Sequence, residues 1–301
     1  MQMVEINASL VKELRDETGV AMMDCKKALV EAEGDKDKAR ELLRKRGVAV
    51  ADKKSGRATS EGLVVAHIAP DQKTGVILEV NCETDFVARN EEFVAMANEI
   101  AKTALESKSK DVDALLSQKH GGTTVKDFIT ERVAKTGENL GVRRLESFQA
   151  EGSGFVGSYV HAIGGKLGCL IQLNATKDPS NKEEAAAVAR EVAMHITSAK
   201  PQFLSRNEIS SDVIENERRI EREREDLKNK PDNIREKIVE GRVDKLLAER
   251  CLLDQPFIKD PSKTIKELLA EKGKALGTEL TPVKFALFVL GEDSAEKNGN
   301  A

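Results

Sequence analysis

Two glycine-led apolar runs constrain this chain more than anything else in it. Gly62, Leu63, Val64 and Val65 lead through a turn to Gly75, Val76, Ile77, Leu78, Glu79, Val80 and Asn81. Later, Gly154, Phe155, Val156 and Gly157 lead to Gly168, Cys169, Leu170, Ile171, Gln172, Leu173 and Asn174. Runs of branched residues bounded by glycine read as strands. After each pair comes a segment with helical periodicity: residues 91–105, carrying Phe93, Val94, Ala97, Ile100, Ala101 and Leu105, and residues 182–198. A strand pair plus a helix, written twice, predicts an α+β protein with two subdomains on one plan, antiparallel sheets carrying helices on one face.

The copies differ where the second strand ends. The first continues Cys82, Glu83, Thr84, Asp85, Phe86, Val87, whereas the second continues Ala175, Thr176, Lys177, Asp178, Pro179. An acid, a hydroxyl, a second acid and a large ring thus fill the first junction. Phe86 has two readings there: a core plug under the following helix, or an exposed apolar wedge beside a carboxylate, suited to insertion into a partner. The second copy offers Ser158, Tyr159, Val160 and His161 beside a small-residue stretch, residues 162–165. His161 reads as a hydrogen-bonded structural residue or as a contact point.

The flanks complete the architecture. Residues 8–46 read as three short helices, with Leu10, Val11 and Leu14, then Met22, Cys25, Leu29 and Ala32, then Ala39, Leu42 and Leu43 as their apolar positions. Gly19, Gly34 and Gly47 fall where C-caps belong, and Asp35 suits an N-cap. Met22 and Met23 point to different sides of their helix, so both fill a tiny core or one of them makes contacts. Residues 47–60 collect small and basic residues, as a linker does. Residues 125–136 read as a helix, and Gly137 and Gly141 bracket the turn that follows. Residues 215–228 are charged almost throughout, and Val213, Ile220, Leu227 and Ile234 form a single-file seam. With a break at residues 229–232, this predicts a projecting antiparallel helical hairpin. Residues 264–271 read as a helix, residues 283–290 as a buried strand rejoining the core sheet, and the polar tail 291–301 as disordered.

Composition narrows the function. Of 301 residues, 33% are charged and 40% apolar, the net charge is −4 and aromatics amount to 3%. Such a chain lacks the basic surplus of a nucleic-acid binder, and protein is the expected partner. The four cysteines and four histidines show no disulfide or metal-ligand spacing. No apolar run reaches membrane length and the first residues lack a signal core, so the cytosol is the expected compartment. No P-loop is present: Ala162, Ile163, Gly164, Gly165 and Lys166 lack the first glycine and the hydroxyl after the lysine. No Ser/His/Asp, Cys/His or paired-carboxylate pattern stands out, so the chain is expected to act by binding, without catalytic residues or cofactor.

Residues 81–90 (NCETDFVARN) are very similar to the signature of the bacterial elongation factor Ts family. Residues 18–33 (TGVAMMDCKKALVEAE), 137–144 (GENLGVRR), 200–203 (KPQF), 240–242 (EGR) and 255–263 (QPFIKDPSK) resemble other blocks of that family, in its order. The resemblance implies a guanine-nucleotide exchange factor for elongation factor Tu. It implies a UBA-like docking domain and linker at 1–54, core subdomains at 55–150 and 151–211, a helical hairpin insertion at 212–254, and a return to the core at 255–301. It further implies that Thr84, Asp85, Phe86 and Val87 disturb the partner's magnesium site, and that Met22, Met23, Lys26, Gly137 and His161 make other partner contacts. The extra C-terminal helix of some family members is not expected. Neither nucleic acid nor membrane is an expected partner, while a homodimer or a 2:2 complex is a further expectation. The rival reading is a scaffold that joins other proteins without accelerating nucleotide release.

Overall fold

The computed structural model describes residues 6–292, so the expectation for the tail beyond Glu292 lies outside the described residues. The chain is a mixture of helices and small antiparallel sheets, and it divides into two compact units. One comprises residues 6–65 and 78–146; the other comprises residues 66–77 and 147–292.

The first unit starts with helices α1 (Ala8–Thr18), α2 (Met22–Glu31) and α3 (Lys36–Lys54). Their apolar stripes meet in a small core of Val11, Leu14, Cys25, Ala28, Leu29, Ala39 and Leu43. Gly19 closes α1 in the left-handed region, and Asp35 caps α3 by accepting from the amides of Asp37 and Lys38 at 3.0 Å. Gly47 does not end α3. The helix runs on through the stretch expected to be a linker as far as Lys54. The physical reason is tertiary: α3 packs along α7 (Val125–Thr136), and a Cβ built on Gly47 would stand 3.2 Å from the Ala134 methyl. The glycine allows two helices to approach, and its helix-propensity penalty of about 1 kcal/mol is offset by that packing.

The remaining elements follow in order. Strands β1 (Glu61–Ile68) and β2 (Thr74–Cys82) form a hairpin, then come the one-turn helix α4 (Asp85–Ala88), α5 (Glu91–Ser107) and α6 (Val112–Leu116). The short strands β3 (Lys119–His120) and β4 (Thr123–Thr124), not foreseen from sequence, lead into α7, and β5 (Gly141–Gln149) completes a sheet of order β1-β2-β5. The middle strand β2 is buried from Gly75 to Cys82, polar Glu79 and Asn81 included.

The second unit repeats the plan with β6 (Phe155–Val160), β7 (Leu167–Ala175) and α8 (Lys182–Ala199). Its third strand arrives only after α9 (Ser211–Arg222), α10 (Asp232–Arg250), the short pair β8 (Pro256–Phe257) and β9 (Asp260–Thr264), and α11 (Ile265–Ala275). That strand, β10 (Leu280–Val289), pairs antiparallel with β7 and gives the order β10-β7-β6. It is an edge strand, half-exposed and not buried throughout as expected: Leu280, Leu287 and Phe288 are buried while Val283 is exposed.

Helices α9 and α10 pack as a hairpin, but not along the expected seam. Ile220 and Ile234 are exposed. The buried cluster is Ile209, Leu227, Val239, Val243, Leu247 and Cys251, with Val213 and Ile214 against it. Leu227 reaches it because α9 already stops at Arg222, so Leu227 lies in a 3-10 turn, off the helical register that placed it in the seam. Arg218 with Glu240 at 2.8 Å and Arg222 with Glu236 at 3.0 Å then bridge the two helices. Exposed pairs of this kind contribute about 0–1 kcal/mol each, so the buried cluster carries the hairpin's stability.

Two tests follow from the second unit. A Cβ on Gly157 would lie 2.4 Å from the Cβ of Ala189, which marks the approach of β6 to α8. Gly157→Ala is expected to cost about 1–3 kcal/mol by overpacking, read as a lower urea midpoint. Buried His195 donates from Nε2 to Gln255 Oε1 at 2.9 Å and accepts at Nδ1 from the Ile258 amide at 3.4 Å, while the Gln255 amide group donates to the Glu249 carbonyl. Burial holds its pKa below the ordinary 6.5, against a smaller opposing effect of Gln255. The unfolded chain therefore binds the proton more readily, and stability present above pH 6.5 is lost as pH falls towards the lower folded value. The drop in urea midpoint between pH 7.5 and pH 5 should be smaller in His195→Gln than in the parent chain; equal drops would contradict this assignment.

Candidate functional site

The strand-to-helix junction after β2 is built by reciprocal carboxylates. Glu138 follows the left-handed C-cap Gly137 of α7 and accepts three hydrogen bonds. The amides of Glu83 and Thr84 donate to its Oε2 at 3.1 and 3.0 Å, and the Thr84 hydroxyl donates to its Oε1 at 2.6 Å. In return, Glu83 Oε1 accepts from the Asn139 amide at 2.6 Å, and Glu83 Oε2 accepts from Arg57 at 3.3 Å. The Asn139 bond, with help from Arg57, holds the Glu83 carboxyl below the usual carboxylate range. The Asn139 side-chain amide also donates to the carbonyls of Ser55 and Arg57, which ties the exit of α3 to the same point.

On this base stands α4. Thr84 is its N-cap, with Oγ1 accepting from the Val87 amide at 3.3 Å, and Asp85 occupies the first helical position, where its charge suits the helix dipole. Asp85 pairs with Arg89 at 3.0 Å on the open surface. Cys82 lies buried beneath, its thiol donating to the Thr84 carbonyl at 3.2 Å. Burial, reinforced by the charges of Glu138 and Glu61, pushes that thiol up to about 12, so it stays protonated and unreactive near neutral pH.

Phe86 is 84% exposed. The core-plug reading is therefore overturned: Ala88 is the buried residue of α4, and Phe93 and Met96 of the following helix are the buried large side chains nearby in the chain. A four-residue helix has one inward position, and a small alanine takes it. Val87 is half-buried and borders a cleft of about 300 Å³ that also includes Phe93, Met96, Arg132, Lys135 and Leu140.

The other predicted residues are distributed as follows. Met22 and Met23, 43% and 62% exposed, lie in the first turn of α2 with exposed Lys26 one turn on, so the gap-filling reading of the methionines does not hold. Gly137 adjoins the junction only through its neighbour Glu138, which holds the residues ahead of α4. His161 belongs to the second unit, exposed at the β6–β7 turn, with Nδ1 3.3 Å from the Tyr159 hydroxyl. Two further residues escaped the sequence reading. Ile163, 83% exposed at the same turn, is masked in the sequence by the small residues around it. Glu138 carried no signal by itself, since its partners are more than fifty positions away. Among the described residues no cluster of three His, Cys, Asp or Glu side chains could hold a metal ion, and no helix is long and apolar enough to cross a membrane.

With the ring already in water, Phe86→Ala is expected to change folding stability by less than about 0.5 kcal/mol. A buried ring would cost roughly 3–5 kcal/mol. The urea midpoint of the free chain distinguishes the two.

A family model described as Elongation factor TS matches residues 83–292. Similar proteins called elongation factor Ts include one from Trichlorobacter lovleyi, 43% identical over 299 residues, which span 98% of this chain and 96% of the relative. One from Clostridium perfringens is 45% identical over 296 residues, with the same coverage. Another from Nostoc punctiforme is 43% identical over 297 residues, covering 96% of this chain and 94% of the relative.

Proposed function

Because the chain belongs to the elongation factor Ts family, we propose that it is a guanine-nucleotide exchange factor of protein synthesis, acting on elongation factor Tu by binding and not by covalent chemistry. The observation that carries this reading is Phe86, a large ring held in water on a short helix whose N-terminal base is tied down by reciprocal hydrogen bonds. A chain gains nothing in its own stability from such a ring, and a partner pocket gives it a use. In this reading Thr84, Asp85, Phe86 and Val87 enter the partner beside its magnesium ion and loosen GDP so that GTP can replace it. The three-helix part, residues 1–54, docks through Met22, Met23 and Lys26. Subdomain 55–150 carries the wedge, and subdomain 151–211 contributes His161. The hairpin 212–254 is a peripheral insertion, and residues 255–301 return to the core.

Linkage constrains the mechanism. A factor that weakens nucleotide about 1,000-fold, roughly 4 kcal/mol of coupling, is itself weakened equally by nucleotide. The complex is therefore tight without nucleotide and loose with it, which lets the factor turn over.

Release of a fluorescent GDP analogue from elongation factor Tu tests the reading. The chain is expected to accelerate release at substoichiometric concentration. Phe86→Ala is expected to slow that release about tenfold or more while the protein stays folded. Since α3 packs on α7, removing residues 1–54 would strip the face of α7, so the pair Met22→Ala with Met23→Ala is the cleaner probe of docking. It should raise the concentration needed for half-maximal release. A chain that binds elongation factor Tu but leaves GDP release unchanged would be a scaffold.

A further inference from the structure

We propose that Glu138 is a positioning residue for exchange: its carboxylate, together with that of Glu83, sets the height and direction of α4 before any partner arrives. The proposal rests on the reading of α4 as the exchange wedge. It adds that the wedge works only when clamped, and it names the clamp.

The geometry supports this in three ways. First, all three donors on Glu138 come from the two residues preceding α4, with two amides on one oxygen and a hydroxyl on the other. Hydrogen bonds to an ionised acceptor are the strong ones, and three of them on adjacent groups fix both position and orientation. Second, the bond is returned, since Glu83 holds the Asn139 amide at 2.6 Å, so neither segment can shift without breaking the other's bonds. Third, the residue before Glu138 is Gly137 at φ 74°, the left-handed position that turns the chain out of α7 just ahead of the carboxylate. Apart from Ala88 beneath it, α4 is half-exposed or exposed, so burial alone does not fix its attitude. Catalytic constellations lose function when their supporting residues are left loose by an ångström or so, and the same applies to a wedge.

The test separates docking from insertion. GDP release from elongation factor Tu is measured against the concentration of the full-length chain, giving a half-saturating concentration and a plateau rate. Glu138→Ala is expected to lower the plateau about tenfold and to leave half-saturation within about threefold, because the docking residues are untouched. Glu138→Gln keeps one oxygen for the two amides and an NH2 that can donate to Thr84 Oγ1, so it should recover most of the plateau. Hydrogen exchange of the free protein should show faster exchange at the Glu83, Thr84 and Val87 amides in Glu138→Ala, with the α5 amides unchanged, at a pH where the urea midpoint shows the chain to be folded. If the Ala variant unfolds, the Gln variant decides: release equal to the Ala variant's in its folded fraction, or a changed half-saturation with a normal plateau, would overturn the clamp. A normal plateau for a folded Glu138→Ala protein overturns it while leaving the exchange reading standing. If the unmodified chain fails to accelerate release, the exchange reading falls and the clamp's role in exchange falls with it.

Discussion

A carboxylate without access to water sits in the central strand of the first sheet. Glu79 on β2 is fully buried and accepts from Arg144 Nε on β5 at 2.8 Å and from the Asn81 side chain at 3.1 Å. An isolated buried carboxylate costs several kcal/mol, and Arg144 opposite it offsets much of that cost. Side chains alternate faces along a strand, and a slip of one residue would turn Glu79 away from Arg144. The pair therefore selects the β2–β5 register, even though a well-packed apolar pair could be as stable. Once that register holds, the end of β2 lies beside the start of β5, where Glu83 and Glu138 exchange their hydrogen bonds. The sheet's polar pair thus lies on the strands that lead into the joint on which α4 stands. The buried Asn81 Oδ1 accepts no hydrogen bond from another protein group.

The second unit shows what the same plan yields without that demand. At the end of β7, where β10 begins, Thr176 and Thr278 bring their hydroxyls within 3.2 Å of each other. The Lys177 amide donates to Thr278 and the Glu279 amide to Thr176. This too is a reciprocal tie between a central strand's end and its neighbour's start, made with neutral hydroxyls, and no helix carrying an aromatic ring stands on it. The two copies share a joint and differ in what the joint presents.

Legibility followed the range of the forces involved. Strand pairs, their helices and the caps were readable because alternation, 3.6-residue periodicity and left-handed glycines are local signals. Gly47 reads as a helix end because glycine more often ends a helix than lets it touch another, and only the position of Ala134 decides which. Leu227 fitted a heptad count because counting assumes an unbroken helix, whereas α9 stops at Arg222. Phe86 kept two readings for a similar reason: a ring beside a strand end is buried or exposed according to which residue of a one-turn helix faces inward, and Ala88 takes that place. Glu138 was invisible, since a carboxylate that serves two distant amides looks like any other acid in a sequence rich in them.

The energy scale shows why the joint matters in the proposed role. Burying the Phe86 ring in a partner returns about 1.5–3 kcal/mol. Had residues 84–87 to be ordered on binding, fixing their backbones would cost about 1–2 kcal/mol each, or roughly 4–8 kcal/mol in all. A loose wedge would thus lose more by ordering than its ring could gain. With Thr84 capping α4 and the amides of Glu83 and Thr84 already held by Glu138, much of that entropy is lost during folding, and the ring's burial can act on the partner. Even so, the ring alone falls short of the roughly 4 kcal/mol needed for a thousandfold weakening of nucleotide. In the proposed role the shortfall falls to the residues that would enter with the ring, Thr84, Asp85 and Val87, since docking contacts made equally with and without nucleotide lower the concentration needed and add no coupling.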